Sequence, residues 1–168
     1  AGSGSDVVYG GDGADVFRIA SGDITSGIDI DSVNLFGDFT TGDDTIDLSA
    51  FTFKNLAATT FTASYGVDVV TSSAVSLSSA SGTDATILYS VTSTASNFNT
   101  QTTIDTAVTE IVADASTLVF GAAKLASVLI QVTGSDGDDV ALFHYTEAGS
   151  NGIASGELDL IGVFVGAD

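Results

Sequence analysis

Glycine and aspartate recur in the first eighteen residues at spacings that can assemble an oxygen-lined cation site. Residues 1–9 read AGSGSDVVY and residues 10–18 read GGDGADVFR. Set in register, Gly2 falls on Gly11, Gly4 on Gly13, Asp6 on Asp15 and Val8 on Phe17; Ala1, opposite Gly10, is the one departure. Glycine permits positive φ and a tight turn with carbonyl oxygens aimed inward, and the aspartate adds a carboxylate at the turn's end. The three residues that follow in each unit suit a short strand whose middle side chain faces the core. Turn and strand repeated in this way predict a flattened parallel spiral, with alternate turns stacked about 4.8 Å apart along one edge. Oxygens of turns n and n+2 would enclose a site for Ca²⁺, which takes roughly 6–8 oxygen ligands at about 2.3–2.6 Å. Mg²⁺ fits such a site badly, because it wants a smaller octahedral shell and retains water.

The nonapeptide resembles the GGxGxDxUx repeat of the RTX family, whose parallel β-roll binds Ca²⁺ between turns. Residues 38–51, DFTTGDDTIDLSAF, are similar to the segment that closes the roll in serralysin-type RTX proteins, a DFxxGxDxIDLSxF pattern. Asp38, Phe39, Gly42, Asp44, Ile46, Asp47, Leu48, Ser49 and Phe51 stand at its matching places. Between the two signatures, residues 19–37 read IASGDITSGIDIDSVNLFG, a degenerate continuation whose SGD and IDID stretches could supply the missing turns. Stacking of alternate turns then pairs Asp6 with Asp23, Asp29 or Asp31, and Asp15 with Asp38, Asp43 or Asp44. The expected metal ligands are Gly2, Gly4, Asp6, Gly11, Gly13, Asp15, Asp23, Asp29, Asp31, Asp38 and Asp44. One departure from the family's spacing stands out: SVNLFG separates Asp31 from Asp38.

Charge and composition agree with a cation partner. The chain of 168 residues carries 22 Asp+Glu against 3 Lys+Arg, a formal net charge of -19. Such a surface repels nucleic acid and anionic membranes, and its self-repulsion favours a bound cation. A hydrophobic fraction of 44% and a mean hydropathy of +0.40 set it apart from a disordered acidic tail. Cys, Met, Trp and Pro are absent, so disulfides, thiolate sites and cysteine nucleophiles are excluded. No apolar stretch approaches the roughly 18 residues of a membrane span, and no basic region leads into an apolar run as in a signal peptide. The sequence opens inside a repeat, without Met, and reads as the C-terminal part or a processed piece of something larger.

Downstream, alternation and β-branching predict strands at VDVV, residues 67–70, and TILYSVT, residues 86–92. Ile104, Ala107, Val108, Ile111, Val112 and Ala115 recur at helical spacing, with Thr102 and Asp105 approximating a capping box. SVLIQVTG (127–134), DDVALFHYT (138–146) and ELDLIGVFVG (157–166) predict antiparallel strands joined by glycine-containing turns. The expected fold is mostly β: a calcium-binding parallel β-roll over residues 1–51, then a β-rich C-terminal module over 52–168 with one short helix and terminal antiparallel strands. The latter is similar to the terminal region of RTX proteins, where a final hairpin packs on the roll and houses an uncleaved type I secretion signal.

Three further features read as ordinary structure. EAGSNGIASGEL (147–158) suggests an EF-hand loop, but Glu157 falls one place early and Gly149 replaces an acid. Asp136, Asp138 and Asp139 suit a solvated hairpin turn. His144, the only histidine, has no second histidine or Cys nearby, and no HExxH, GxSxG or phosphate loop occurs. The sequence therefore predicts no enzyme. It predicts an extracellular, Ca²⁺-binding structural module of an RTX-type cell-surface protein, such as a surface-layer protein or adhesin. Its expected partners are calcium ions, the type I secretion apparatus, and further copies or a cell-surface partner. The alternative is the secretion and folding appendage of a serralysin-like protease or lipase whose catalytic domain lies upstream.

Overall fold

A computed structural model describes residues 4–23, 27–40, 43–50, 67–71, 86–115, 128–145 and 153–166. Among the described residues, β-branched and aromatic runs form nine strands: β1 (Val7–Tyr9), β2 (Val16–Ala20), β3 (Asn34–Phe39), β4 (Thr45–Ala50), β5 (Val67–Thr71), β6 (Thr86–Thr92), β7 (Val128–Thr133), β8 (Val140–Tyr145) and β9 (Leu158–Gly166). One helix, α1 (Gln101–Ala115), follows β6. The fold is mostly β, as the sequence implies.

The first four strands interleave. β1 pairs in parallel with β3, Val8 against Phe36, and β2 pairs in parallel with β4, Phe17 against Ile46. Each strand thus joins the next but one, the connectivity that stacked alternate turns require. β1 and β3 then continue into a seven-stranded sheet of order β1-β3-β9-β8-β7-β6-β5, while β2 and β4 form a sheet of their own. The neighbours β7, β8 and β9 are antiparallel. β5–β6, β6–β7 and β3–β9 are parallel, which short-range patterning does not reveal. Parallel neighbours need a crossover connection. Helix α1 lies in the one between β6 and β7.

Side-chain alternation on β8 defines two cores. Ala141, Phe143 and Tyr145 pack in one cluster with Ile104, Ala107, Val108 and Ile111 of α1. Leu142 joins the other, with Phe17 and Ile19 of β2 and Phe36 and Phe39 of β3. The large sheet is therefore filled by the helix on one face and by β2 and β4 on the other. Four phenylalanines fasten the second interface: Phe36 stacks on Phe164 at 4.8 Å, and Phe17 meets Phe36 edge-on at 5.4 Å. Phe39 lies 5.1 Å from Phe164 and 5.9 Å from Phe17. Offset and edge-to-face rings of this kind add roughly 0.5–1.5 kcal/mol per pair beyond burial.

The helix starts earlier than its apolar stripe suggests. The Thr103 amide donates to Thr100 Oγ1 at 3.3 Å and the Thr100 amide to Thr103 Oγ1 at 3.4 Å, so the reciprocal cap is Thr100 with Thr103 and not Thr102 with Asp105. Gln101 ties this end to the chain before β3: its Nε2 donates to the Ile28 carbonyl, and its Oε1 accepts from the Ile30 amide.

Candidate functional site

The stacked turns are joined by a one-sided set of hydrogen bonds: amides of the upper turns donate to side chains of the chain beneath. The Asp6 amide donates to Asn34 Oδ1 at 3.0 Å. Gly10 and Gly11 donate to the two oxygens of Asp38, each at 2.9 Å. Asp15 donates to Asp44 Oδ1 at 2.9 Å, while Asp44 Oδ2 accepts from Thr40 at 2.8 Å. Main-chain bonds from Leu35 to the Asp6 carbonyl and from Thr45 to the Asp15 carbonyl, both 2.9 Å, continue these contacts into the strand ladders.

This pattern fixes the register. Asp15 lies over Asp44, whereas Asp6 lies over Asn34 and not over Asp23, Asp29 or Asp31. The sequence separations are 28 and 29, longer than two nine-residue steps. The extra chain sits between β2 and β3, and SVNLFG, which separates Asp31 from Asp38, holds the first four residues of the third strand. The aspartates of that connection close local turns. Asp23 Oδ2 accepts from the Ala20 amide at 2.9 Å, and Asp29 Oδ1 accepts from Asp31 at 3.0 Å as the cap of the 3-10 turn Ile30–Ser32. Sequence reasoning missed Asn34; the signal was its place directly before the apolar pair Leu35–Phe36, the place Asp6 and Asp15 hold before Val7–Val8 and Val16–Phe17.

Gly4, Gly11 and Gly13 adopt φ of 111°, 93° and 114°, which L side chains rarely reach. Among the described residues, Asp38 is the one non-glycine at positive φ, 56°, a region aspartate tolerates better than most. Gly10 serves a different end: a Cβ there would lie 2.6 Å from Asp15 Oδ2, so the missing side chain makes room for the carboxylate. Gly2 and Gly42 lie outside the described residues.

These turns suit a hard cation unequally. Among the described residues, Asp15 Oδ2 is buried and has no hydrogen-bond donor. A buried carboxylate oxygen without a donor is costly unless a cation satisfies it. The second turn thus offers, in Asp15 Oδ2, an oxygen ligand of the kind that fits Ca²⁺. The first and third turns fit less well, because the lower turn presents an amide, Asn34, where the repeat has a carboxylate. Among the described residues no three Asp, Glu or His side chains converge as a metal cluster. A site made chiefly of turn carbonyls would not need them.

Elsewhere, Asp136 and Asp138 are exposed at the β7–β8 turn, but Asp139 is buried rather than solvated. Its oxygens accept from Phe98 at 3.3 Å and Gly166 at 3.2 Å. Burial pushes its carboxyl above the usual range, and Asp136 and Asp138 add to the rise against the two amides. Glu157 is buried and accepts from the Ala154 amide at 2.9 Å, closing a 3-10 turn; residues 147–152 of the EF-hand-like stretch lie outside the described residues. His144 is buried on β8, across from Asp159 and Leu129.

Interleaved parallel strands carrying Gly-Asp turns at one edge of a mixed sheet define a repeat-built module of the RTX type. The family described as Peptidase M10 serralysin C terminal matches residues 1–118, and the chain belongs to it. Membership places the chain in a class of type I secreted, RTX-type modules that are generally calcium-binding and carry no catalytic machinery of their own. No curated protein and no solved structure matches the chain. Among the described residues, no helix is long and apolar enough to cross a membrane.

Proposed function

We propose that this chain is a calcium-responsive, non-catalytic folding and export module of an extracellular RTX-type protein, its stacked turns forming a β-roll. The observation that carries the reading is the donorless, buried Oδ2 of Asp15 in a Gly-Asp turn stacked on another, in a chain of net charge -19. Gly11, Gly13 and Asp15 would hold the ion, which neutralises charge that otherwise opposes compaction. Where Ca²⁺ is scarce, the N-terminal turns are held by their hydrogen bonds alone and stay loose enough for export. Outside the cell, ion binding becomes folding free energy.

For the parent protein, the Ser-, Thr- and Ala-rich, sulfur-free composition favours a surface-layer protein or adhesin. The family match favours a second reading, in which the module serves a serralysin-like protease or lipase. The sequence preceding Ala1 in the parent gene discriminates: an HExxH or GxSxG motif sinks the structural reading, and further Ser/Thr/Ala-rich β repeats support it.

Calorimetric Ca²⁺ titration from an EDTA-stripped state, followed in parallel by circular dichroism, tests the calcium reading. Asp15→Ala is expected to weaken Ca²⁺-dependent folding far more than Asp136→Ala. Equal effects, or full β signal with unchanged melting in EDTA, contradict it.

A further inference from the structure

The carboxylates beneath the second turn face donors, whereas Oδ2 of Asp15 within it does not. Both Asp38 oxygens receive amides, from Gly10 and Gly11, and both Asp44 oxygens receive amides, from Asp15 and Thr40. An oxygen at which an N–H is aimed looks onto the positive end of that dipole, which disfavours a cation at the same spot. Asp15 Oδ2 has no such donor among the described residues. Asp38 also adopts a φ of 56° while making its paired contact. A backbone held in that region needs compensation, and two charge-assisted hydrogen bonds supply it.

We propose that Asp38, with Asp44 beside it, is a positioning residue: it pins the Gly10–Asp15 turn in register through main-chain amides and leaves ligation to Asp15 and the turn's own oxygens. Asn34, Asp38 and Asp44 then act as a template that reads the repeat with three acceptor side chains. The pin operates without metal. Only the statement that Asp38 is no ligand rests on the calcium reading.

Hydrogen exchange at the Gly10 and Gly11 amides, measured by NMR on the full chain in EDTA and again in saturating Ca²⁺, separates these roles. Asp38→Gly removes both acceptors yet accepts the positive φ; Asp38→Asn keeps one carbonyl acceptor; Asp12→Asn removes the same charge from an exposed position in the turn. Loss of one hydrogen bond accelerates exchange about fivefold. Acceleration of that size or more is expected at both glycines in Asp38→Gly, at one of them in Asp38→Asn, and at neither in Asp12→Asn. Calorimetry should find as many ions bound to Asp38→Asn as to the parent chain, at a higher half-saturating concentration. Unchanged exchange in Asp38→Gly in EDTA, or one ion fewer in Asp38→Asn, overturns the proposal. A parent chain that binds no Ca²⁺ sinks the calcium reading while the exchange in EDTA still decides the pin.

Discussion

The turns at residues 4–15 and the sheet at β7–β9 are held by different forces. Around the turns, residues 4–14 are exposed except for Val8, and beside the short β1–β3 ladder the contacts downward are hydrogen bonds to three side chains. In the sheet, Ile130, Val132, Ala141, Phe143, Leu160 and Val163 are wholly buried, and strand ladders run between them. Apolar burial at roughly 25 cal/mol per Å² stabilises the sheet whatever the ion concentration. Exposed polar contacts contribute only about 0.5–1.5 kcal/mol each, so the turns depend on something more. The lesson is a division within one chain: a core held by apolar burial, and an edge held by exposed hydrogen bonds, whose strength solution conditions can alter.

The largest expected effect falls on the sheet. Phe143→Ala should cost about 3–5 kcal/mol, and denaturant titrations should show the same loss in EDTA and in Ca²⁺. A loss that differed between the two conditions would blur the division. Next comes the ion: Ca²⁺ at one hundred times its dissociation constant should stabilise the chain by about 2.7 kcal/mol, read as a shift in melting temperature. Asp44→Ala, which strips acceptors from the Asp15 and Thr40 amides, should cost about 1–3 kcal/mol and lower proteolytic resistance near residues 10–16 while sparing the sheet. The smallest effects concern pH. Asp139 has a raised carboxyl, so its folding contribution is present at low pH and lost as pH rises through the folded value. For Glu110, burial works against ionisation, but hydrogen bonds from Ser93 and Thr94 prevail and lower the carboxyl. Its contribution is present above the ordinary Glu value and lost as pH falls through the lowered one. Stability–pH curves of Asp139→Asn and Glu110→Gln should depart from the parent in opposite directions between neutral and acidic pH. A departure in the same direction would contradict the assignment.

Legibility in the sequence followed the range of the interactions. Gly11, Gly13 and Asp15 announce their turn because the repeat constrains local backbone, and the strands at 67–71, 86–92, 128–133, 140–145 and 158–166 follow from alternation and turn residues. The α1 stripe at Ile104, Ala107, Val108 and Ile111 was equally plain, since helical period is local. Asn34 showed only its place before an apolar pair; its role comes from lying beneath Asp6, 28 residues away. The β3–β9 pairing and the burial of Asp139 depend likewise on distant chain. SGD and IDID mimicked repeat turns by composition, yet their aspartates found donors two and three residues away and closed local turns instead. Short-range hydrogen bonding competes with stacking wherever glycines are few.

One measurement addresses the central claim most directly: residue-resolved amide exchange during Ca²⁺ titration from an EDTA-stripped state, comparing residues 10–16 with residues 141–145. The account predicts that protection at 10–16 rises with bound Ca²⁺ while 141–145 stays protected throughout. Protection that rises together in both regions, or turns fully protected in EDTA and indifferent to the ion, would contradict it.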